Sequence, residues 1–211
     1  MKIAVLGKGM VGGTLGGRWA AAGHEVTFGV RDPSAPAARA LAETTGAGIA
    51  PIGEAVPDAQ VVVLAVPWAA IPEVLDAAGP LDGAIVVDTT NAAGAGYHPD
   101  VDTGRSGAET IASLRPGARV VKAFNGMSYR TMADPSTFPL PPAVLIAADD
   151  REAKDTVSEL IAELSLEPVD AGPLAAATLL EHTGLLWIRL AFDQRMGRDF
   201  AFVIARRDPA A

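Results

Sequence analysis

The sequence predicts an α/β protein in which helices cover both faces of a parallel sheet. Short β-branched runs alternate along the chain with alanine-rich stretches of helical composition, which is the pattern of successive strand–helix–strand units. Most of these runs are apolar throughout, as expected of strands that are covered on both sides. The predicted fold class is therefore α/β, a doubly wound, Rossmann-like parallel sheet with a small C-terminal α/β cap.

The runs predicted as strands are, in chain order, Lys2 to Leu6, Glu25 to Val30, Gln60 to Val66, Ala84 to Val87, Arg119 to Ala123, Ala143 to Ala147 and Glu167 to Val169. Irregular stretches follow at 91–104 and 125–142. Because open α/β sheets bind ligands beyond the carboxyl ends of their strands, we expect these two stretches to line a site. We expect one Rossmann-like domain over residues 1–172, completed by a helical cap over residues 173–211.

Composition excludes several kinds of chemistry. The 211 residues carry a formal net charge of −8 and no cysteine, which rules out disulfides, thiolate metal sites and a cysteine nucleophile. Redox chemistry would therefore need a bound cofactor. The acidic balance and the lack of a Lys/Arg cluster argue against a nucleic-acid partner. The longest apolar stretch is interrupted by Pro67 and is shorter than the ~20 residues of a membrane span. We expect a cytoplasmic protein without a metal site.

A glycine motif follows the first strand directly. Gly7-Lys8-Gly9-Met10-Val11-Gly12 has the form G-x-G-x-x-G and opens a helical stretch. In such motifs Gly7 would allow the tight turn, Gly9 would let the backbone reach a pyrophosphate, and Gly12 would allow the helix to pack closely on the strand. The strand before the motif and the helix after it match the required context, so the motif predicts dinucleotide binding. The alternative is a glycine-rich turn that binds nothing.

The tip of the second strand predicts which dinucleotide is bound. An acidic residue at this point accepts a hydrogen bond from the ribose of NAD, whereas an arginine offers donors to the 2′-phosphate of NADP. Here Val30 is followed by Arg31, which favours NADP(H). Asp32 leaves an alternative open, since it would neutralise Arg31 in an ordinary surface ion pair.

The third predicted strand ends at Ala65-Val66, and Pro67-Trp68 follow directly after it. A small residue and a proline at this point would let the ribose–nicotinamide half of the cofactor lie flat, with Trp68 as a wall. An equally good interpretation makes Trp68 a core residue of the helix that follows.

Polar residues end the next two strands. Asn91 and Asn125 are predicted either to line the site or to form Asx turns. Lys122 would neutralise charge or brace a neighbouring strand.

The three histidines carry no strong prediction. His24 precedes the second strand and is interpreted as structural. His98 would approach a substrate, and His182 is interpreted as packed or solvent-facing on a helix.

These segments together resemble the coenzyme F420-dependent NADP oxidoreductase family, and the resemblance extends over nearly the whole chain. The segments that carry it are Gly7 to Gly12, Arg31, Pro67-Trp68, Lys122 to Asn125, Ala148 to Lys154, Asp170 to Leu174, Leu180-Glu181 and Leu186 to Ile188. The resemblance implies a Rossmann-like domain with a small C-terminal addition, which moves hydride between NADPH and a deazaflavin.

The resemblance also implies contacts. Lys8, Gly9, Met10 and Val11 would contact the phosphates, and Arg31 the 2′-phosphate. The nicotinamide side would meet Ala65, Val66, Pro67, Asn91 and the loop around Gly126 and Met127. Val30 stands where members of this family often have a serine that helps to bind the 2′-phosphate, which implies a weaker preference for NADP. The segment Lys122 to Asn125 is similar to a branch of the family whose electron acceptor is generally unassigned, so the resemblance supports NADP binding better than it supports the deazaflavin.

The crevice offers no convincing acid/base pair, so no catalytic residue is predicted and positioning would supply the catalysis. A flavin is a possible acceptor in place of F420. Two other functions stay open, namely a carbonyl or imine reductase and an NADPH-binding redox sensor without turnover. The apolar residues of the tail predict a homodimer. Arg105 is a further candidate donor to an anionic ligand.

Overall fold

A six-stranded parallel sheet forms the centre of the molecule. The structure is a computed structural model that describes residues 1–93 and 104–207. The strand order is β3-β2-β1-β4-β5-β6, and each neighbouring pair is parallel. The strands are β1 Lys2–Leu6, β2 Glu25–Val30, β3 Gly48–Pro51, β4 Val61–Leu64, β5 Ile85–Asp88 and β6 Arg119–Lys122. The predicted doubly wound fold is confirmed, because the order reverses between β1 and β4.

The edge strand β3 is absent from the predicted strands. Its sequence, Gly-Ile-Ala-Pro, has neither alternation nor a β-branched run. β3 pairs with β2 on one side only, from Thr27 opposite Gly48 to Val30 opposite Pro51. An edge strand tolerates proline because its outer N–H groups have no ladder partner. Tertiary pairing, not local preference, therefore makes this segment a strand.

Helices pack on both faces of the sheet. They are α1 Met10–Ala21, α2 Pro36–Thr45, α3 Ile52–Ala55, α4 Ile71–Ala78, α5 Gly107–Leu114, α6 Tyr129–Ala133, α7 Arg151–Ala162 and α8 Ala177–Ile188. Successive residues of a strand enter opposite cores. In β4, Val61 and Val63 belong to the core that contains Trp19, whereas Val62 and Leu64 belong to the core that contains Ile71. Burial on both faces explains why the strands are apolar throughout.

Helix α6 lies inside the stretch 125–142, which was predicted to be irregular. Ser128 caps it by accepting a hydrogen bond from the Arg130 N–H, and a 3₁₀ turn follows at Pro135–Thr137. A helix of five residues is too short to show an apolar period, so the sequence does not predict it.

The C-terminal part adds a second, two-stranded sheet. β7 (Ala143–Ile146) and β8 (Glu167–Asp170) are parallel and are connected through α7. Reciprocal backbone hydrogen bonds join Lys122 at the end of β6 to Ala147. Helix α8 packs on α5 and β7, and thereby reaches the carboxyl edge of the central sheet. The predicted division into residues 1–172 and 173–211 stays a prediction.

The described residues contain no helix with the length and hydropathy that crossing a bilayer requires. The prediction made for His98 falls on residues 94–103, outside the described part of the chain.

Candidate functional site

The turn between β1 and α1 requires glycine at two positions. Gly7 has a φ of +123°, and a Cβ there would lie 2.3 Å from the Ala65 carbonyl oxygen. A Cβ on Gly12 would lie 2.4 Å from the Gly7 carbonyl oxygen. Neither position has room for a side chain, because α1 and β4 pack directly on the turn.

Gly9 differs from these two glycines because a Cβ there would meet nothing within 4 Å. Gly9 is the N-cap of α1, and no side chain caps this helix. The first-turn N–H groups of α1 therefore remain available to an anion in the open space beside Gly9.

A cleft extends along the carboxyl ends of the strands and has two halves. The first, called here the β2 half, is a cavity of about 370 Å³ lined by Gly7, Lys8, Gly9, Gly29, Val30, Arg31, Asp32, Ala35, Ile52, Ala65, Val66, Pro67, Ala70, Glu73 and Val74. The second, the β5 half, is a cavity of about 320 Å³ lined by Gly9, Met10, Val11, Ala65, Val66, Pro67, Trp68, Thr89, Thr90 and Asn91. The two halves share Gly9 and Ala65 to Pro67, so a single extended ligand can occupy both.

Arg31 at the tip of β2 has a carboxylate neighbour that differs from the predicted one. Arg31 Nη1 lies 3.9 Å from Glu73 Oε1, and both side chains are largely exposed. Asp32 instead accepts hydrogen bonds from the Ser34 N–H and hydroxyl, and these bonds lower the pKa of the Asp32 carboxyl. The predicted ion pair between Asp32 and Arg31 is therefore not present in the structure. Glu73, on α4, takes that place.

Trp68 lines the cleft and packs only partly against the core, and its role as a wall for the cofactor stays a prediction. It lies in a 3₁₀ turn after β4, where it is half-buried and lines the β5 half. Its ring also packs on α5, since a Cβ on Gly107 would lie 2.9 Å from the Trp68 ring.

Behind the β5 half lies a buried charge cluster formed by Asp88, Lys122 and Glu181. Lys122 Nζ donates to Asp88 Oδ2 at 2.9 Å and to Glu181 Oε1 at 2.8 Å. The side chains of Asp88 and Lys122 are 0% exposed and that of Glu181 is 7% exposed. Both carboxylates lie within hydrogen-bonding distance of the one ammonium group, as burial of such charges requires.

The charge cluster joins three parts of the fold. Asp88 ends β5, Lys122 ends β6, and Glu181 is on α8. The Glu181 carboxylate also accepts from the Gly107 N–H, at 3.0 and 3.2 Å from its two oxygens, at the start of α5. Lys122 therefore both neutralises charge and braces neighbouring elements, as predicted.

Thr90 lies between the charge cluster and the cleft. Its N–H donates to Asp88 Oδ1 at 2.9 Å, and its carbonyl oxygen accepts from Lys122 Nζ at 2.5 Å. Thr90 also lines the β5 half. Its hydroxyl is buried and has no hydrogen-bond partner among the described residues. Thr90 thus contacts Asp88 and Lys122 of the charge cluster and also lines the β5 half.

Asn91 and Asn125 form a hydrogen-bonded pair. Asn91 Nδ2 donates to the Asn125 carbonyl at 3.0 Å, and Asn125 Nδ2 donates to Asn91 Oδ1 at 2.9 Å and to the Leu180 carbonyl at 2.7 Å. Helix α8 approaches this pair closely, because a Cβ on Gly184 would lie 2.5 Å from Asn91 Oδ1. Asn91 lines the cleft, whereas Asn125 supports it from behind.

Comparisons with known proteins agree with this geometry. The family model for coenzyme F420-dependent NADP oxidoreductases matches residues 2–92. The crystal structure of a candidate F420-dependent NADP reductase from Arthrobacter sp. FB24 is 33% identical, covers 98% of this chain and 100% of that one, and superposes with a TM-score of 0.88. The chain belongs to the F420-dependent NADP oxidoreductase family.

Two further relatives extend the comparison. Metalloreductase STEAP3 of Rattus norvegicus is 34% identical over 183 residues, which are 85% of this chain, and the chain spans 36% of the length of that relative. A reductive aminase from Aspergillus terreus in complex with NADPH4, cyclohexanone and allyl amine is 21% identical, with a TM-score of 0.69 over 92% of this chain and 62% of that one. The second likeness shows a shared fold alone.

Most residues that the sequence predicted for this family's site lie around the cleft. Lys8, Gly9, Met10, Val11, Val30 and Arg31 line it, as do Ala65 to Trp68 and Asn91. Gly12 is buried under the turn and shapes it.

Two predicted site residues, Asn125 and Met127, do not line the cleft; Asn125 supports Asn91 from behind, and Met127 lies farther away. It is buried in the core that contains Trp19 and, like Gly126, lines a separate small cavity near β7. The chain turns inward after Phe124, which has a φ of +64°, and this turn is not evident from the sequence.

Three acidic residues in or behind the cleft were not predicted as site residues, namely Glu73, Asp88 and Glu181. Lys122 was the available signal, because a lysine inside the apolar run Val-Val-Lys-Ala-Phe needs a buried carboxylate partner. The sequence does not say which carboxylate, since Glu181 is 59 residues away.

The remaining predicted residues lie off the cleft. His24 is structural, because its Nε2 lies 2.6 Å from Glu163 and its Nδ1 lies 3.2 Å from the N-terminal amine. His182 is exposed on α8, with its Nδ1 2.6 Å from the Thr178 carbonyl. Arg105 is exposed and lines, with His182 and Asn91, a cavity of about 170 Å³ beside the β5 half.

Proposed function

We propose that the protein is an NADPH-dependent oxidoreductase that transfers hydride from NADPH to a deazaflavin such as coenzyme F420, or to a flavin-like acceptor. The observation that carries the proposal is the continuous cleft, which runs from an arginine at the tip of β2, past an uncapped helix N-terminus, to the flat wall at Ala65 to Pro67. Its two cavities, of about 370 and 320 Å³, are suited to the two nucleotide halves of a dinucleotide.

In this proposal the pyrophosphate lies on Gly9 and the N–H groups that open α1. A side chain at Gly9 would fill that space, which explains a glycine at a position where the backbone does not require one. The adenosine and its 2′-phosphate occupy the β2 half, with Lys8 and Arg31 as cations beside them.

The nicotinamide occupies the β5 half, against Ala65, Val66 and Pro67. Trp68 and Asn91 bound this half, and Met10, which is 65% exposed, lies at its opening. An exposed methionine there offers an adaptable apolar contact for an acceptor ring stacked on the nicotinamide. The reaction needs contact between two rings and little proton movement by the protein, so positioning supplies the catalysis.

A flavin or ferric acceptor stays the second candidate because the metalloreductase STEAP3 is 34% identical over most of the chain. The carbonyl or imine reductase is less favoured. In the described part of the chain, no ionisable side chain lines the β5 half, where the nicotinamide is proposed to lie. Those that line the β2 half are exposed, and they are Lys8, Arg31, Asp32 and Glu73. Such reductions need a proton donor near the reacting carbon.

The experiment that tests the proposal is NADPH oxidation measured in parallel with F420, with free flavins, with ferric chelates and with a carbonyl and imine panel. We expect the highest kcat/KM with F420. Faster turnover with flavins or ferric chelates would assign the second candidate. Tight NADPH binding without oxidation by any acceptor would assign the redox sensor instead.

The predicted homodimer also stays a proposal. Several of the apolar residues that motivated it are used within the fold, since Leu180, Leu185 and Trp187 are buried. Leu179 and Leu186 remain exposed on α8. Light scattering at micromolar concentration tests whether a second copy covers them.

A further inference from the structure

The charge cluster of Asp88, Lys122 and Glu181 has one basic and two acidic side chains, which gives it a formal net charge of −1 beside the β5 half. We propose that this buried negative charge stabilises the oxidised nicotinamide relative to the reduced one, and thereby favours hydride release. The inference rests on the proposed function, since it places the nicotinamide in the β5 half.

The chemistry gives the direction of the effect. When NADPH donates hydride, the C4–H bond breaks and its electron pair leaves with the hydrogen to the acceptor ring. The neutral dihydropyridine becomes a pyridinium and gains one positive charge, while the acceptor is reduced by two electrons and takes one proton from solvent. A fixed negative charge nearby is attracted to the pyridinium and not to the dihydropyridine.

The position of the charge cluster makes this attraction effective. Thr90 lines the β5 half, while its N–H is bound by Asp88 and its carbonyl oxygen by Lys122. All three charged side chains are shielded from solvent, so salt and water screen them weakly. The two carboxylates outweigh the ammonium group even though the Gly107 N–H adds a partial positive charge at the start of α5.

Neighbouring exposed charges do not cancel this field. Arg105 and His182 line the cavity next to Asn91, and both are exposed to solvent. Exposed charges interact through water, where the effective dielectric constant is high. Glu181 lines the same cavity as Arg105, but its side chain is only 7% exposed. Burial therefore distinguishes the charge cluster from the exposed charged side chains that line these cavities in the described part of the chain.

A purely structural role is the competing explanation, because the charge cluster also attaches α8 to the sheet. The two explanations differ in one quantity, the ratio of the Kd for NADP⁺ to the Kd for NADPH. Loosening of α8 would weaken both forms together and leave the ratio unchanged. Loss of a negative charge would weaken NADP⁺ selectively and raise the ratio.

The test is titration of the whole protein with NADP⁺ and with NADPH at one pH and salt concentration, in the wild type, Glu181→Gln and Asp88→Asn. Each substitution keeps the side-chain shape and removes one negative charge from a different side of Lys122. We expect the ratio to rise about fivefold in both variants. Glu109→Gln is the matched control, since Glu109 is on α5 but is only half-buried and takes part in the helix cap. Its ratio should stay within about twofold of the wild type.

An unchanged ratio in a folded Glu181→Gln or Asp88→Asn protein that still binds both forms overturns the inference and leaves the proposed function intact. A wild type that binds neither form overturns the proposed function itself. Circular dichroism establishes folding before each titration. One variant that folds is sufficient to decide whether the ratio changes. If neither variant folds, the charge cluster is a folding element and the inference is wrong.

Discussion

In the β2 half of the cleft the charged side chains are exposed, whereas the charges beside the β5 half are buried and paired. The side chains of Arg31 and Glu73 are 81% and 66% exposed and lie 3.9 Å apart. The side chains of Lys122, Asp88 and Glu181 are at most 7% exposed. Lys122 Nζ lies 2.9 Å from Asp88 Oδ2 and 2.8 Å from Glu181 Oε1. The exposed charges can move toward an anion, whereas the buried charges are fixed before any ligand binds.

The difference matches what each half is proposed to do. Recognition of a mobile 2′-phosphate requires donors that reorient, and arginine supplies a planar set of them. Redox chemistry on a ring requires a fixed field that does not reorganise during the reaction. The glycine turn connects the two halves, and its backbone is fixed by packing.

The largest expected effect comes from this turn. Gly7→Ala should lower the free energy of unfolding by about 3 kcal/mol, because φ is +123° and the new Cβ would overlap the Ala65 carbonyl. Gly9→Ala is the matched control, since its Cβ meets no protein atom within 4 Å. Gly9→Ala should keep the unfolding free energy and lose NADPH affinity, as the Cβ enters the proposed pyrophosphate space. Urea unfolding measures the unfolding free energy, and fluorescence titration measures the NADPH affinity. Equal losses of unfolding free energy in the two variants would contradict the account of the turn.

The next effect concerns the β2 half alone. Arg31→Ala should weaken NADPH binding about 30-fold, which is the effect expected from loss of a charge-assisted hydrogen bond to phosphate. NADH binding should be unchanged, because NADH has no 2′-phosphate. Parallel titration of the two dinucleotides measures the difference. An equal loss for both would mean that Arg31 does not select the phosphate.

The smallest effect has the opposite sign. Glu73→Gln should tighten NADPH binding about threefold, because an exposed carboxylate beside Arg31 competes weakly with the phosphate. Glu43→Gln makes the same change in net charge on α2, at an exposed position away from the cleft, and should leave the Kd unchanged. Weaker binding in Glu73→Gln would show that Glu73 supports the cofactor instead of competing for Arg31.

The same comparison shows what the sequence predicts well. Arg31, Val30 and the glycine turn follow directly from strand ends, and strand ends are evident from runs of apolar residues such as those of β1 and β4. These features are local, so a single sequence is sufficient. Of the charged residues that line the β2 half, Lys8, Arg31 and Asp32 were accordingly named from the sequence, and Glu73 was not.

The charge cluster behind the β5 half was not predicted, because its members are distant in sequence. Lys122 meets Asp88 across 34 residues and Glu181 across 59. The packing of α8 decides that Glu181, and not Glu163 or Glu167, reaches the sheet edge. The inward path of the chain after Phe124 likewise takes Met127 into the core. Both outcomes depend on tertiary packing, which hydrophobic periodicity does not encode.

The most direct test of the account is calorimetric titration of the wild-type protein with NADPH and with NADH in one buffer. Placement of the 2′-phosphate beside Arg31 in the β2 half predicts one NADPH bound per chain, with a Kd at least about tenfold below that for NADH. Equal affinities for the two dinucleotides, or no saturable binding of either, would contradict it.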